Sequence, residues 1–119
     1  MMRVVHLFDV KRGVAERDFV EWLDTALSAA AQRFGCVDRS TWLLADGFTG
    51  SYLHPKPVHG RPKYVNEAYS PDMEGPRAFR NWLTTTPDGR AMHDRWFSSV
   101  QNHTVLRYVK GWDRIDPDE

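Results

Sequence analysis

The first residues of the chain form a short apolar run that polar groups interrupt at regular positions. Read as a β-strand, residues 3–11 place apolar side chains on both faces. One face carries Val4, His6, Phe8 and Val10, and the other carries Val5, Leu7 and Asp9. A strand with two apolar faces lies in the middle of a sheet, where a histidine either pairs with an interior group or lines a cavity. His6 is therefore the first candidate functional residue.

Length and charge narrow the classes of protein to consider. The 119 residues include five Trp, four Tyr and six Phe, which predicts one domain over residues 1–119 with an aromatic core. Sixteen basic and sixteen acidic side chains cancel, which disfavours nucleic acid and anionic membranes as partners. Cys36 has no second cysteine to pair with, and no segment has the roughly 18 apolar residues of a membrane-spanning helix. We expect a cytoplasmic protein.

The next segments predict a helix followed by a strand. Residues 15–34 carry apolar side chains at helical spacing, Trp22 among them, and Gly35 suits the left-handed end of that helix. Residues 36–46 return to a strand pattern with an apolar centre. The chain therefore starts with a strand, a helix and a second strand.

A long segment rich in glycine and proline follows at residues 47–62. This composition predicts a loop without regular structure over most of its length. Because the loop also carries Tyr52, His54 and His59, we interpret it as a flap over a pocket or as an arm that reaches a partner subunit. The two histidines match no established zinc pattern, so no metal site is predicted.

The second half of the chain repeats the pattern of the first. Residues 63–69 predict a third strand, and a short helix starts near Gly75. Thr86 as N-cap and Pro87 at the first helical position start another helix. Residues 103–110 alternate polar with apolar side chains and predict the last strand.

The order of elements is strand, helix, strand, strand, helix pair, strand. Two such halves make a ferredoxin-like βαββαβ sandwich of the α+β class, with a four-stranded antiparallel sheet and the helices on one face. The first and third strands are then central. The other face of the sheet needs an apolar cover, for which a second copy of the chain is the simplest candidate, so we expect a homodimer. The acidic residues 113–119 are expected to fray.

Short motifs give the chain a resemblance to a known superfamily. The segment Phe-Arg-Asn-Trp-Leu at residues 79–83, followed by Thr-Pro-Asp-Gly-Arg-Ala at residues 86–91, resembles the EthD-like branch of the dimeric α/β-barrel proteins. The opening Val-Val-His-Leu-Phe at residues 4–8, followed by Gly13, is similar to the REDY-like proteins of pigment pathways. The insertion at residues 47–62 departs from the close relatives, so pocket shape does not carry over through it.

The resemblance implies a homodimer whose two sheets face each other as an α/β barrel, with a pocket between the sheet and the helices of each subunit. Relatives include cofactor-independent oxygenases, cyclases, isomerases and dehydratases that act on aromatic or polyketide-like intermediates, and some haem-handling enzymes. Such a protein needs no cofactor and binds a small aromatic ligand or substrate.

Within that frame the candidate catalytic residues are His6, Asn66 and Arg107. A neutral histidine with an ordinary pKa can take or give a proton, and an amide or guanidinium can stabilise an enolate. The candidate substrate-binding residues are Trp22, Tyr64 and Phe8 as aromatic walls, with Tyr52, His54 and His59 from the loop. If the opposite face of the strands lines the pocket, the acid-base set becomes Asp9, Glu67 and Tyr69. His93 is read as solvated, and the direction of His103 stays open.

The leading hypothesis is a cofactor-independent enzyme of secondary metabolism or aromatic catabolism. It would perform cyclisation, dehydration or isomerisation by proton transfer through His6. The alternatives are a cofactor-independent monooxygenase and a non-catalytic dimeric ligand-binding protein. The sequence has no glycine-rich nucleotide loop and no serine nucleophile elbow. The third strand lacks the glycine and the basic pattern of RNA-recognition domains.

Overall fold

The computed structural model describes residues 1–110, so the predicted acidic tail at 113–119 lies outside the described residues. The elements follow in this order: β1 (Met2–Val10), α1 (Glu16–Trp22), a π-helical segment (Leu23–Leu27), α2 (Ser28–Gln32), β2 (Val37–Leu43), β3 (Phe48–Gly50), β4 (Pro55–Pro57), β5 (Tyr64–Ser70), α3 (Glu74–Thr85), α4 (Pro87–Ser99) and β6 (Val100–Val109). None of the helices within this range is long and apolar enough to cross a membrane.

Four strands form an antiparallel sheet in the order β2, β5, β1, β6. The predicted ferredoxin-like α+β fold is confirmed, and β1 and β5 are central as expected. His6 lies directly opposite Asn66 in the register of these two strands, so the two polar residues share one face.

That face is the one that the helices cover. Along β5 every second residue, starting with Tyr64 and including Asn66, is buried, and the residues between them are partly exposed. Phe8 on β1 and Leu23 and Leu27 on the π-helical segment are fully buried in the same core. The side of the sheet that carries Tyr64, Asn66 and Ala68 is therefore the helix side.

Helix α4 begins where the sequence predicts. The Thr86 hydroxyl accepts a hydrogen bond from the backbone nitrogen of Gly89 at 3.0 Å, and Pro87 stands at the first turn of α4. This arrangement satisfies a backbone donor that every helix start leaves open.

Some element boundaries differ from the prediction. The strand β6 begins at Val100 rather than at residue 103, because Val100 pairs with Val10 of β1. Residues 47–62 hold a small hairpin, in which Phe48 pairs with Pro57 and Gly50 pairs with Pro55. The prolines occupy a two-stranded ribbon with open edges, where a missing N–H is tolerated.

Candidate active site

A cavity of about 650 Å³ lies between the sheet and the helices α3 and α4. His6 of β1 and Arg107 of β6 belong to its sheet side. Trp96 and Phe97 of α4 and Phe79 of α3 give it an aromatic wall. A cavity of this size and lining suits a small organic molecule.

His6 is held inside this cavity by two rings. It is only 7% exposed. Its Nδ1 lies 2.8 Å from Nε2 of His103, which is a hydrogen-bond distance. The centroid of its ring lies 4.5 Å from the centroid of the Trp96 ring. The imidazole is therefore fixed in one orientation beside the cavity.

Both imidazoles of this pair are neutral at pH 7. Burial, the positive charge of Arg39 and the neighbouring His103 lower the pKa of His6 well below its usual value of 6.5. Burial also lowers the pKa of His103. The expectation of an ordinary pKa for His6 is therefore wrong, because burial penalises the imidazolium. When Nδ1 of His6 donates to His103, Nε2 of His6 holds the lone pair that can accept a proton.

Arg39 on β2 is positioned by a chain of hydrogen bonds that ends at a carboxylate. Its Nη1 donates to Oδ1 of Asn66 at 2.5 Å, and Nδ2 of Asn66 donates to Oγ1 of Thr41 at 2.8 Å. The Thr41 hydroxyl donates to Oδ1 of Asp24 in the π-helical segment at 2.7 Å. Burial lowers the pKa of Arg39 to about 10, so the guanidinium still carries its charge at neutral pH.

An irregularity in the strand pairing lies beside Arg39, and another lies beside His103. The pairing of β2 with β5 slips within residues 37–40, where Asp38 has a φ of +56°. The pairing of β6 with β1 slips at Asn102, whose φ is +54°. A bulge redirects the strand that contains it. Both residues nevertheless follow the regular alternation, because Arg39 is two residues from Thr41, which pairs with Asn66, and His103 is two residues from Val105, which pairs with His6.

The predicted catalytic residues fall in two places. His6 and Arg107 border the cavity, as expected. Asn66 is fully buried and contacts Arg39 rather than the cavity. We therefore regard Asn66 as a positioning residue for Arg39.

The predicted aromatic walls lie in the core beside α1 instead of at the cavity. Phe8 stacks on Tyr64 with ring centroids 5.5 Å apart, and the Tyr64 hydroxyl donates to Glu16 at 2.5 Å. Trp22 stacks on Phe19 with ring centroids 5.9 Å apart. Helix α1 covers these rings, so the cavity takes its aromatic wall from α3 and α4.

The loop residues predicted to bind substrate lie away from this cavity. Tyr52 is 92% exposed, and His54 and His59 are exposed as well. No residue of 47–62 borders the cavity, because the hairpin pairs with itself and leaves the sheet. Within this chain residues 47–62 do not form a flap over the cavity. Their role as an arm that reaches a partner subunit stays a prediction. Among residues 1–110 no group of three or more His, Cys, Asp or Glu could hold a metal ion.

The alternative acid-base set is not assembled at the cavity. Glu67 forms an ion pair with Arg3 on the opposite face of the sheet. Asp9 accepts a hydrogen bond from the backbone nitrogen of Lys63 at 2.7 Å. Of the three residues in that set, Tyr69 alone borders the cavity.

Sequence reasoning passed over Arg39 and left the direction of His103 undecided. Each follows directly on a residue type that tolerates a left-handed backbone, Asp38 or Asn102. An aspartate or asparagine inside a predicted strand is thus the signal that could have marked both bulges.

No protein-family model matches this sequence, and no curated protein is significantly similar to it. The structure is similar to that of the protein At3g17210 from Arabidopsis thaliana, with a TM-score of 0.64 and 13% identity over 97% of this chain and 100% of that one. A dimeric ferredoxin-like protein of unknown function from Jannaschia sp. CCS1 has a TM-score of 0.63 and 13% identity over 92% and 98% of the two chains.

A third similar structure is that of a mutant of MhuD with two manganese protoporphyrin IX molecules bound per active site. Its TM-score is 0.54, with 13% identity over 98% of this chain and 100% of that one. At these identities the similarity establishes the fold. The chain is a ferredoxin-like α+β protein with a cavity between its sheet and its helices.

Proposed function

We propose that this chain is a cofactor-independent enzyme that transfers protons on a small aromatic or polyketide-like molecule bound in the cavity. The observation that carries the proposal is the neutral imidazole of His6 at the cavity, hydrogen-bonded through Nδ1 to His103. A fixed, neutral imidazole beside a cavity suits a general base. Within the dimeric α/β-barrel proteins, the motifs at residues 79–83 and 86–91 support the EthD-like branch, and residues 4–8 with Gly13 support the REDY-like branch.

The proposed reaction starts with the acidic C–H of a carbon next to a carbonyl group. Nε2 of His6 takes the proton, and the electron pair moves onto the carbonyl oxygen as an enolate. A guanidinium, Arg39 or Arg107, stabilises the negative oxygen. Return of the proton to another carbon gives an isomer. Loss of hydroxide, which leaves as water with that proton, gives a dehydrated product instead.

Replacement of His6 by glutamine tests this role. We expect His6→Gln to slow exchange of the acidic C–H of phenylpyruvate and benzoylacetone in D2O by about 100-fold or more, because general-base catalysis contributes at least that factor. Proton NMR follows the exchange. Because the pKa of His6 is lowered, protonation should abolish the rate only below pH 6.5, so the acid limb of the kcat/KM profile should lie below that value.

His54→Gln serves as the matched control, since His54 is exposed on the hairpin. This variant should exchange both probes at the wild-type rate. Wild-type protein that leaves exchange at the buffer rate, or His6→Gln with full activity, would contradict the proposed chemistry. Oxygen uptake with either probe would instead indicate the monooxygenase alternative.

The lowered pKa of His6 also favours a second candidate, a ligand-binding protein without chemistry. A buried imidazole next to a guanidinium is a weak base in the empty cavity. MhuD, which binds manganese protoporphyrin IX, has the same fold. Tight binding of an aromatic ligand without proton exchange would support this candidate.

We also propose that two copies pair through the face of the sheet that the helices leave open. Trp42 is 61% exposed and Tyr108 is 50% exposed, and both belong to that face by register. The similar Jannaschia protein is dimeric.

Tyr108→Glu should raise the dimer dissociation constant at least ~10-fold, because it would bury an unpaired charge. Sedimentation equilibrium measures the constant, with Arg90→Glu on the exposed side of α4 as control. A monomeric wild-type protein at micromolar concentration would refute the dimer.

A further inference from the structure

We propose that the ligand of this cavity is an aromatic carboxylic acid whose carboxylate binds Arg39. This inference rests on the proposed function and deepens it by naming the class of substrate. Two independent observations support it, one from the charges that border the cavity and one from hydrogen-bond donors that have no acceptor.

Among residues 1–110, the side chains with a permanent charge that border the cavity are arginines. Arg39, Arg80 and Arg107 do so together with Arg77, and no Asp or Glu of that range lines the cavity. Burial raises the pKa of the Cys36 thiol, so Cys36 adds no negative charge. Arginine side chains recognise carboxylates through parallel N–H···O bonds. The ligand is therefore expected to bring a negative charge to Arg39.

Two buried side-chain donors lack a partner among the described residues, and both belong to this cavity. They are Nε of Arg39 and Nε1 of Trp96. The guanidinium carbon of Arg39 lies 5.6 Å from the centroid of the Trp96 ring. Buried N–H groups in folded proteins almost always have an acceptor. Neither nitrogen is accessible in the empty cavity, so a carboxylate would reach them through a small shift of the two side chains, and its two oxygens would then serve both donors.

The rest of the ligand is expected to be a flat ring. Trp96, Phe97 and Phe79 present aromatic surface to the cavity, and aromatic rings pack favourably against one another. Asn66 occupies Nη1 of Arg39 on the side away from the cavity. The guanidinium is thus held in place before the ligand arrives, which lowers the entropic cost of binding.

Binding of the anion would also change the neighbouring base. Arg39 of β2 and His103 of β6 lower the pKa of His6, and Arg107 of β6 and His93 of α4 border the same cavity. A carboxylate on Arg39 offsets one of the charges that keep His6 neutral. His6 therefore becomes a stronger base when the substrate is bound. Binding of the carboxylate at Arg39 would thus come first, and proton transfer to His6 would follow.

The test compares two ligands of the same shape, 2-naphthoate and 2-naphthamide, by isothermal titration calorimetry. Wild-type protein should bind the carboxylate at least ~10-fold more tightly than the amide, because a charge-assisted hydrogen bond contributes at least that factor. Arg39→Met should remove the difference, and Arg39→Lys should restore part of it. Arg33→Met should keep the wild-type ratio, because Arg33 lies over Trp82, outside the cavity.

The wild-type ratio decides the inference even if Arg39→Met does not fold. Equal affinities for the two ligands, or an unchanged ratio in folded Arg39→Met, would overturn it. If His6→Gln loses proton exchange but the wild type shows no preference for 2-naphthoate, the carboxylate is refuted and the proposed chemistry stands. If the wild type prefers 2-naphthoate but His6→Gln keeps full exchange, the proposed chemistry is refuted and the carboxylate stands.

Discussion

Replacement of Trp96 by alanine is expected to destabilise the protein by about 3–5 kcal/mol, the cost of removing a large buried ring. Trp96 is 2% exposed. Its ring packs against His6 at 4.5 Å and against Phe97 at 5.4 Å between centroids. The indole thus joins α4 to the sheet, and its loss would merge the vacated space with the cavity. Urea unfolding followed by circular dichroism measures the change.

Two further variants serve as comparisons for Trp96→Ala. Trp96→Phe should cost clearly less than Trp96→Ala, because it keeps an aromatic ring and removes only an indole N–H that has no partner in the described chain. Tyr52→Ala should change the free energy of unfolding by less than about 0.5 kcal/mol, since Tyr52 is 92% exposed. A loss of under 1 kcal/mol for Trp96→Ala would contradict the packing of α4 described above.

Gly89→Ala is expected to destabilise the protein by about 3 kcal/mol or more, at the upper end of what overpacking costs. A Cβ atom at Gly89 would lie 2.0 Å from the carbonyl oxygen of Trp82 and 2.7 Å from Oγ1 of Thr86. The carbonyl belongs to the last turn of α3 and Thr86 joins α3 to α4, and the Thr86 hydroxyl also donates to that carbonyl at 2.9 Å. Relief of the clash would separate the two helices that enclose the cavity.

Gly47→Ala provides the matched control for this substitution. A Cβ atom there would meet only Cγ2 of Val58 at an ordinary 3.7 Å. The variant should therefore unfold at the wild-type urea concentration, within experimental error. If Gly89→Ala behaves in the same way, the close approach of α4 to the carbonyl of Trp82 does not exist in solution.

The fold could be predicted from the sequence because its signals are local. The alternation in residues 3–11 and 63–69 showed which strands are central and which side of each carries His6 and Asn66. The Thr-Pro-Asp-Gly segment marked the start of α4. The structure explains the glycine of that segment, because a side chain at Gly89 would clash with the carbonyl oxygen of Trp82. The hairpin in residues 47–62 was missed, because its short strands contain prolines and are exposed.

The site could be predicted only in part, because its assembly depends on tertiary packing. Strict alternation carries His6 and Arg107 to the helix side, and both border the cavity. Arg39 and His103 follow the same alternation, in phase with Thr41 and Val105, but the strand pairing slips just before each of them. The aromatic wall was assigned to Trp22 and Tyr64 rather than to Trp96, because the side of a helix that faces a cavity depends on tertiary packing.

The most direct test of the central claim is a crystal structure of the protein grown with saturating 2-naphthoate. We predict that the carboxylate lies in the cavity at about 2.7–2.9 Å from a nitrogen of Arg39, with the ring against Trp96 and an atom of the ligand within reach of Nε2 of His6. A cavity without the ligand, or a ligand on the open face of the sheet or on the hairpin, would contradict the claim.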